Sequence, residues 1–161
     1  MSAAPAPQHR TYTWHDPQPT AEAIQRLSGL EVLQGIGDGT LPAPPAMDTL
    51  AIEPVEIEPG RVVFELTPTG RHYSALGTVH GGVLAPLADN ALGACVYTSL
   101  PAGTGYTTQG IDVTFLRPVT IETGRTRCEG TALDVGRRTA YATAAITDLA
   151  GRPLARPPPP A

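Results

Sequence analysis

The chain has 161 residues, room for one domain with a single core, and its apolar and charged fractions of 41% and 16% are those of an ordinary globular protein. A net charge of −4, with the basic residues scattered, lacks the positive field that neutralises phosphates, which sets nucleic-acid binding aside. All 11 basic residues are Arg, so lysine Schiff bases, pyridoxal linkages and lysine-dependent phosphate loops are excluded.

Residues 1–19 carry Pro5, Pro7, Pro17 and Pro19 among polar neighbours, too little apolar surface to offset chain entropy, and a disordered tail is expected. The tail holds no apolar run suited to a signal peptide, and no segment approaches the roughly 20 apolar residues that span a bilayer. A cytoplasmic protein without membrane attachment is the expectation. Trp14 fits docking on a partner or on its own domain as well as simple exposure.

From Thr20, an N-cap with Glu22 in the first turn, Ala23, Leu27, Leu30 and Leu33 recur at helical spacing, which predicts one amphipathic helix up to Gly35. Residues 35–46 gather Gly35, Gly37, Gly39, Pro42, Pro44 and Pro45 and read as a linker or lid. Two β segments, Leu50 to Ile57 and Arg61 to Thr67, are joined by Glu58-Pro59-Gly60 and predict a hairpin.

Residues 82–100 form a nearly unbroken apolar stretch, too long for a strand, and predict a helix buried on most sides. Cys95 and Cys128 show no metal-ligand spacing and read as reduced core residues. Tyr106 to Leu116, Thr120 to Asp134 and Arg138 to Asp148 are predicted as long strands, with a short one at Pro153 to Arg156. A buried helix followed by antiparallel strands predicts an α+β architecture, a sheet wrapped around that helix. The chain is thus expected to divide into the tail 1–19, a helix and linker over 20–48, a domain over 49–156 and a second proline-rich tail over 157–161.

The residues with chemical interest stand together. Gly77-Thr78-Val79-His80-Gly81-Gly82 runs straight into the apolar helix, and a Gly pair at a helix start exposes N–H groups whose dipole favours developing negative charge. Asp89 lies seven residues after Gly82, about two turns on, on a face that also carries the small Ala85 and Gly93, which leave space for a substrate. A carboxylate on such a helix calls for pairing, solvation or a function, and periodicity alone does not choose. His80 reads more readily as a loop hydrogen-bonding residue than as a base.

These motifs resemble the PaaI-type acyl-CoA thioesterases of the hotdog superfamily from about Leu50 to Ala155. The resemblance is carried by Gly77 to Leu84 leading to Leu87-Ala88-Asp89-Asn90-Ala91-Leu92-Gly93, then Val113-Thr114-Phe115-Leu116-Arg117-Pro118, with turns at Val135 to Ala140 and Asp148 to Arg152. It implies the hotdog fold and Asp89 as general base or nucleophile. It also implies Gly81 N–H as the donor to the thioester carbonyl, and His80 as a brace for the loop. A hydroxyl from the partner chain falls, by this likeness, on Thr108, with Thr107 beside it; strand propensity explains both threonines equally well. Gly82, Asn90, Gly93 and Thr107 are expected around the substrate. Ser74 stands where the family usually has Asn and offers one hydroxyl in place of an amide.

The resemblance further implies no metal or organic cofactor, acyl-CoA as the substrate, and a homodimer or homotetramer with sites at the dimer interface. Two other readings remain open. One is a non-catalytic hotdog module that binds acyl-CoA, which Ser74 favours. The other is a hydratase or dehydratase, for which His80 would have to serve. Tyr97, Tyr106 and Tyr141 fit either an acyl pocket or plain packing.

Overall fold

The structure is a computed structural model and describes residues 6–157. The predicted hairpin is present as β1 (Ile52–Glu58) and β2 (Arg61–Leu66), turned by Pro59 and by Gly60 at a φ of 75°, which glycine adopts freely. Alternation along β2 sends Val62, Phe64 and Leu66 inward, where all three are buried, each worth about 1.5–3 kcal/mol.

The apolar stretch forms α4 (Gly81–Tyr97), and the sheet closes over it with β3 (Thr114–Phe115), β4 (Thr126–Val135), β5 (Ala140–Asp148) and β6 (Pro153–Arg156). The strand order is β1-β2-β4-β5-β6-β3, antiparallel throughout. Leu84, Leu87, Ala91 and Cys95 of α4 meet Phe64, Cys128 and Ile146 of the sheet in one core. The approach is close at Gly130, where a Cβ would lie 2.2 Å from the Ala91 carbonyl oxygen. The outer face is polar: Glu56 bridges Arg61 and Arg127, and Glu65 holds Arg125 and Arg127 at 3.1 and 3.2 Å. The expected α+β architecture, an antiparallel sheet around a buried helix, is the one observed.

Three expectations are corrected. The single helix from Thr20 is two, α1 (Gln18–Ile24) and α2 (Gly29–Asp38), because Ser28 and Glu31 form a capping box that restarts the helix. Gly29 also lies so close to α4 that a Cβ would sit 1.9 Å from the Tyr97 carbonyl oxygen, which fixes where α2 must begin. The linker over 35–46 is helical at both ends, since α2 runs to Asp38, stops at Gly39 with φ 80°, and Pro45 opens α3 (Pro45–Leu50). The strand expected over Tyr106 to Leu116 pairs only at Thr114 and Phe115. Continuing that ladder past Thr114↔Arg156 would require Pro157 and its neighbours to pair, and proline has no N–H to give.

Residues 1–5 and 158–161 of the expected tails lie outside the described residues. Residues 6–17 contain no helix or strand, yet Arg10 donates to the carbonyls of Thr49 and Asp48 at 2.7 and 2.9 Å and lies 4.4 Å from the Tyr12 ring centre. Trp14 packs at 5.9 Å from Tyr12 and remains 61% exposed. Among the described residues no helix is long and apolar enough to cross a membrane.

Candidate active site at the start of the central helix

The loop before α4 is held by its own backbone. Ser74 N–H donates to the Thr78 carbonyl at 2.7 Å and His80 N–H to the His72 carbonyl at 2.8 Å, with Gly77 turning at φ 76°. Val79 N–H reaches the Val119 carbonyl at 2.8 Å, and the Tyr73 hydroxyl accepts from Ile121 N–H at 2.8 Å. His72 is buried beneath this loop, its Nδ1 accepting from Thr69 N–H at 3.2 Å. Burial, then the charges of Arg71 and Arg10, lowers its pKa below the usual 6.5.

His80 is the N-cap of α4. Its Nδ1 accepts from Gly82 N–H at 2.8 Å and its carbonyl from Val83 N–H at 2.8 Å. The ring thus braces the helix start, and the Gly82 N–H expected near the substrate is already engaged. Gly81 N–H has no acceptor among the described residues and is the free donor at the positive end of α4. Phe115 lies directly over it: a Cβ on Gly81 would come within 2.9 Å of the ring.

Asp89 is half-buried and accepts a hydrogen bond from the Thr108 hydroxyl at 2.8 Å, a contact made within one chain. No Arg or His lies within ion-pair distance of it among the described residues. Thr107 is exposed beside Thr108 and makes no recorded hydrogen bond to Asp89. Asn90 turns its amide back to the Pro86 carbonyl at 2.8 Å, bracing the helix. The Ser74 hydroxyl accepts from Leu76 N–H at 3.3 Å, inside its own turn. The structure records no hydrogen bond from Ser74 to Asp89.

The space over Gly93 is taken by Tyr106, whose hydroxyl would lie 2.3 Å from a Cβ there. The Tyr106 ring is half exposed and packs at 5.6 Å from Tyr97, while desolvation and the nearby Asp89 charge push its phenol up to about 12. Sequence reasoning left Tyr106 open between an acyl pocket and plain packing and gave Phe115 no place at the site. The signal was indirect, since a glycine on a helix face marks where another group approaches.

A cavity of about 710 Å³ opens beside Thr107, Thr108 and Gly93, bounded on its far side by Arg137 and Arg138 of the β4–β5 turn. Cys95 and Cys128 are buried and unbridged, and burial pushes their thiols up to about 11 and about 12, so neither is suited to act as a nucleophile. Among the described residues no cluster of three His, Cys, Asp or Glu side chains forms a metal site.

Gly81 and Asp89 are eight residues apart on one helix, a rise of about 12 Å. A carbonyl within hydrogen-bond reach of one cannot touch the other in the same chain.

Residues 76–155 match the family model of the thioesterase superfamily. The chain superimposes on zebra fish thioesterase superfamily member 2 with a TM-score of 0.65 at 26% identity, covering 79% of this chain and 92% of that one. It resembles the E. coli PaaI protein of the phenylacetic acid degradation operon at TM-score 0.65 and 21% identity, over 81% and 90% of the two chains. A hypothetical thioesterase protein of Streptococcus pneumoniae TIGR4, solved with coenzyme A, gives 0.58 at 23% identity over 65% and 82%. Among curated proteins none matches the sequence.

Proposed function

Because the chain belongs to the thioesterase superfamily and has the hotdog fold, we propose that it hydrolyses an acyl-CoA or related acyl thioester, with Asp89 as the catalytic carboxylate. The observation that carries this reading is the Asp89–Thr108 hydrogen bond, a carboxylate without a cationic partner among the described residues, held by one hydroxyl beside a cavity. Asp89 either deprotonates a water that attacks the thioester carbon or attacks it directly, and the resulting anhydride is then hydrolysed. Both routes release the acid and the thiol and call on no metal or organic cofactor.

The oxyanion formed on attack needs a donor, and the unengaged Gly81 N–H at the α4 start is suited to it. The rise of about 12 Å along α4 means that Gly81 and Asp89 acting on one carbonyl belong to two copies of the chain. Exposed apolar residues support that pairing: Leu76, Phe115, Leu116 and Ile121 flank the Gly81 loop and its neighbouring strand, and a second copy would cover them. A homodimer with two composite sites follows, and two dimers can pair as a tetramer. The coenzyme A bound by the S. pneumoniae neighbour supports a CoA thioester as the substrate.

One observation favours the binding-module alternative: the Ser74 hydroxyl accepts from Leu76 N–H in its own turn and makes no hydrogen bond to Asp89. The deciding experiment is CoA release from a panel of acetyl-, octanoyl-, benzoyl- and phenylacetyl-CoA, followed by mixing two variants. Asp89→Asn and Gly81→Val are each expected to be inactive, and refolding them together restores activity because each mixed dimer rebuilds one intact site. Wild type that binds acyl-CoA and turns over none of the panel would establish the module instead.

A further inference from the structure

β6 stops at Arg156, while β5 runs on to Ala140 and the segment 104–113 continues beyond β3. The pairings Thr114↔Arg156 and Ile146↔Ala155 place any continuation of β6 between those two stretches. Pro157 ends it, and a cleft separates residues 110–113 from β5. This second void of about 460 Å³ is floored by Ala88 and Leu92 of α4, with Val113 on one wall and Ala142, Ala144 and Ile146 on the other. It adjoins the first cavity, with Leu92, Gly110, Tyr141 and Ala142 bordering both.

We propose that this cleft is the acyl-chain channel and that it selects linear acyl groups of medium or greater length. The inference rests on the thioesterase reading and goes further, to the substrate class. On its β5 wall two successive inner-face positions, Ala142 and Ala144, are small beside Ile146, so volume remains over the helix where larger side chains would fill the core. The adjoining first cavity reaches Thr108, the residue that holds Asp89, so an acyl group whose carbonyl lies at Asp89 can extend through that cavity into the cleft, whose floor and β5 side are mainly apolar and whose rim carries Asp112 and Arg156. The β5 edge over Ala140 to Ala145 would also accept an extended peptide, but continuity with Asp89 favours the acyl chain.

The test is calorimetric binding of non-hydrolysable thioether analogues of butyryl-, octanoyl- and palmitoyl-CoA, alongside hydrolysis of the matching thioesters. Each methylene taken into the channel strengthens binding roughly fourfold, so octanoyl is expected to bind at least about tenfold tighter than butyryl. Ala142→Phe fills the junction of the two voids and lowers the octanoyl-to-butyryl ratio at least about tenfold. Should that variant fail to fold, Ile111→Asp, at an exposed wall position, lowers the same ratio by placing a charge in the path.

Affinity independent of chain length in wild type overturns the proposal, as does an unchanged ratio in a folded Ala142→Phe or Ile111→Asp protein. Competition by an extended peptide but not by long acyl analogues would assign the cleft to a protein partner. Length-dependent binding without turnover leaves the channel standing and removes the hydrolase. Turnover with no length dependence does the reverse.

Discussion

Removing the Thr108 hydroxyl tests the proposed site at a single atom. Thr108→Val keeps the β-branched shape and deletes only the donor that Asp89 accepts at 2.8 Å. A hydrogen bond to a charged group contributes about 1.5–3 kcal/mol, and the exposure of Thr108 puts this one at the lower end, since water competes for the carboxylate. A loss of about 1.5 kcal/mol corresponds to roughly a tenfold fall in kcat/KM. Thr108→Ser restores the donor and is expected to return most of the activity, while the thermal midpoint stays within about a degree or two for both variants, as for most exposed positions. The assay is thiol release from the best acyl-CoA substrate, with circular dichroism to confirm the fold. A Thr108→Val protein within twofold of wild type, or a Thr108→Ser protein as impaired as Thr108→Val, would refute the role given to this hydroxyl.

Three further outcomes are expected. Gly130→Ala sets a Cβ 2.2 Å from the Ala91 carbonyl oxygen, and backbone there cannot move aside, so overpacking of about 3 kcal/mol lowers the melting temperature by about 6–12 °C in a scanning calorimeter. Because His72 has a folded pKa below 6.5, its stabilising effect is complete above pH 6.5 and is lost as pH falls through the folded value. Melting temperatures should therefore decline across that window, and less so in His72→Gln. Gly93→Ala displaces the Tyr106 hydroxyl, and spectrophotometric titration against Tyr106→Phe should show that phenol falling from about 12 towards 10.0.

What the sequence made legible was whatever a single segment decides by itself. Pro59-Gly60 set the hairpin, an unbroken apolar run set α4, and seven residues of helical arithmetic put Asp89 on one face with Gly82. Counting back from Pro118 reached Thr108 as a hydroxyl from the partner chain, whereas its hydrogen bond to Asp89 is made within one chain. Decisions that need two segments were hidden. Residues 106–113 have the alternation of a strand, yet pairing depends on a neighbour that ends at Pro157. Continuous leucine spacing masked the helix break at Ser28, although the Ser28 to Glu31 capping box was in plain view. The Gly pair looked like two open donors, but His80 folds back on Gly82 and leaves Gly81 alone. Tyr106 over Gly93 and Phe115 over Gly81 depend on tertiary approach, which no local pattern encodes.

Hydrolysis centred on Asp89 is tested most directly by replacing that carboxylate and nothing else. Asp89→Asn keeps the size of the side chain and can still accept from Thr108 through its amide oxygen, but it cannot serve as base or nucleophile. General-base catalysis is worth about 10²–10⁴ in rate, so CoA release is expected to fall by at least about a hundredfold while acyl-CoA affinity and the melting temperature hold. Turnover by Asp89→Asn within a few fold of wild type would contradict the account and move the chemistry to another residue.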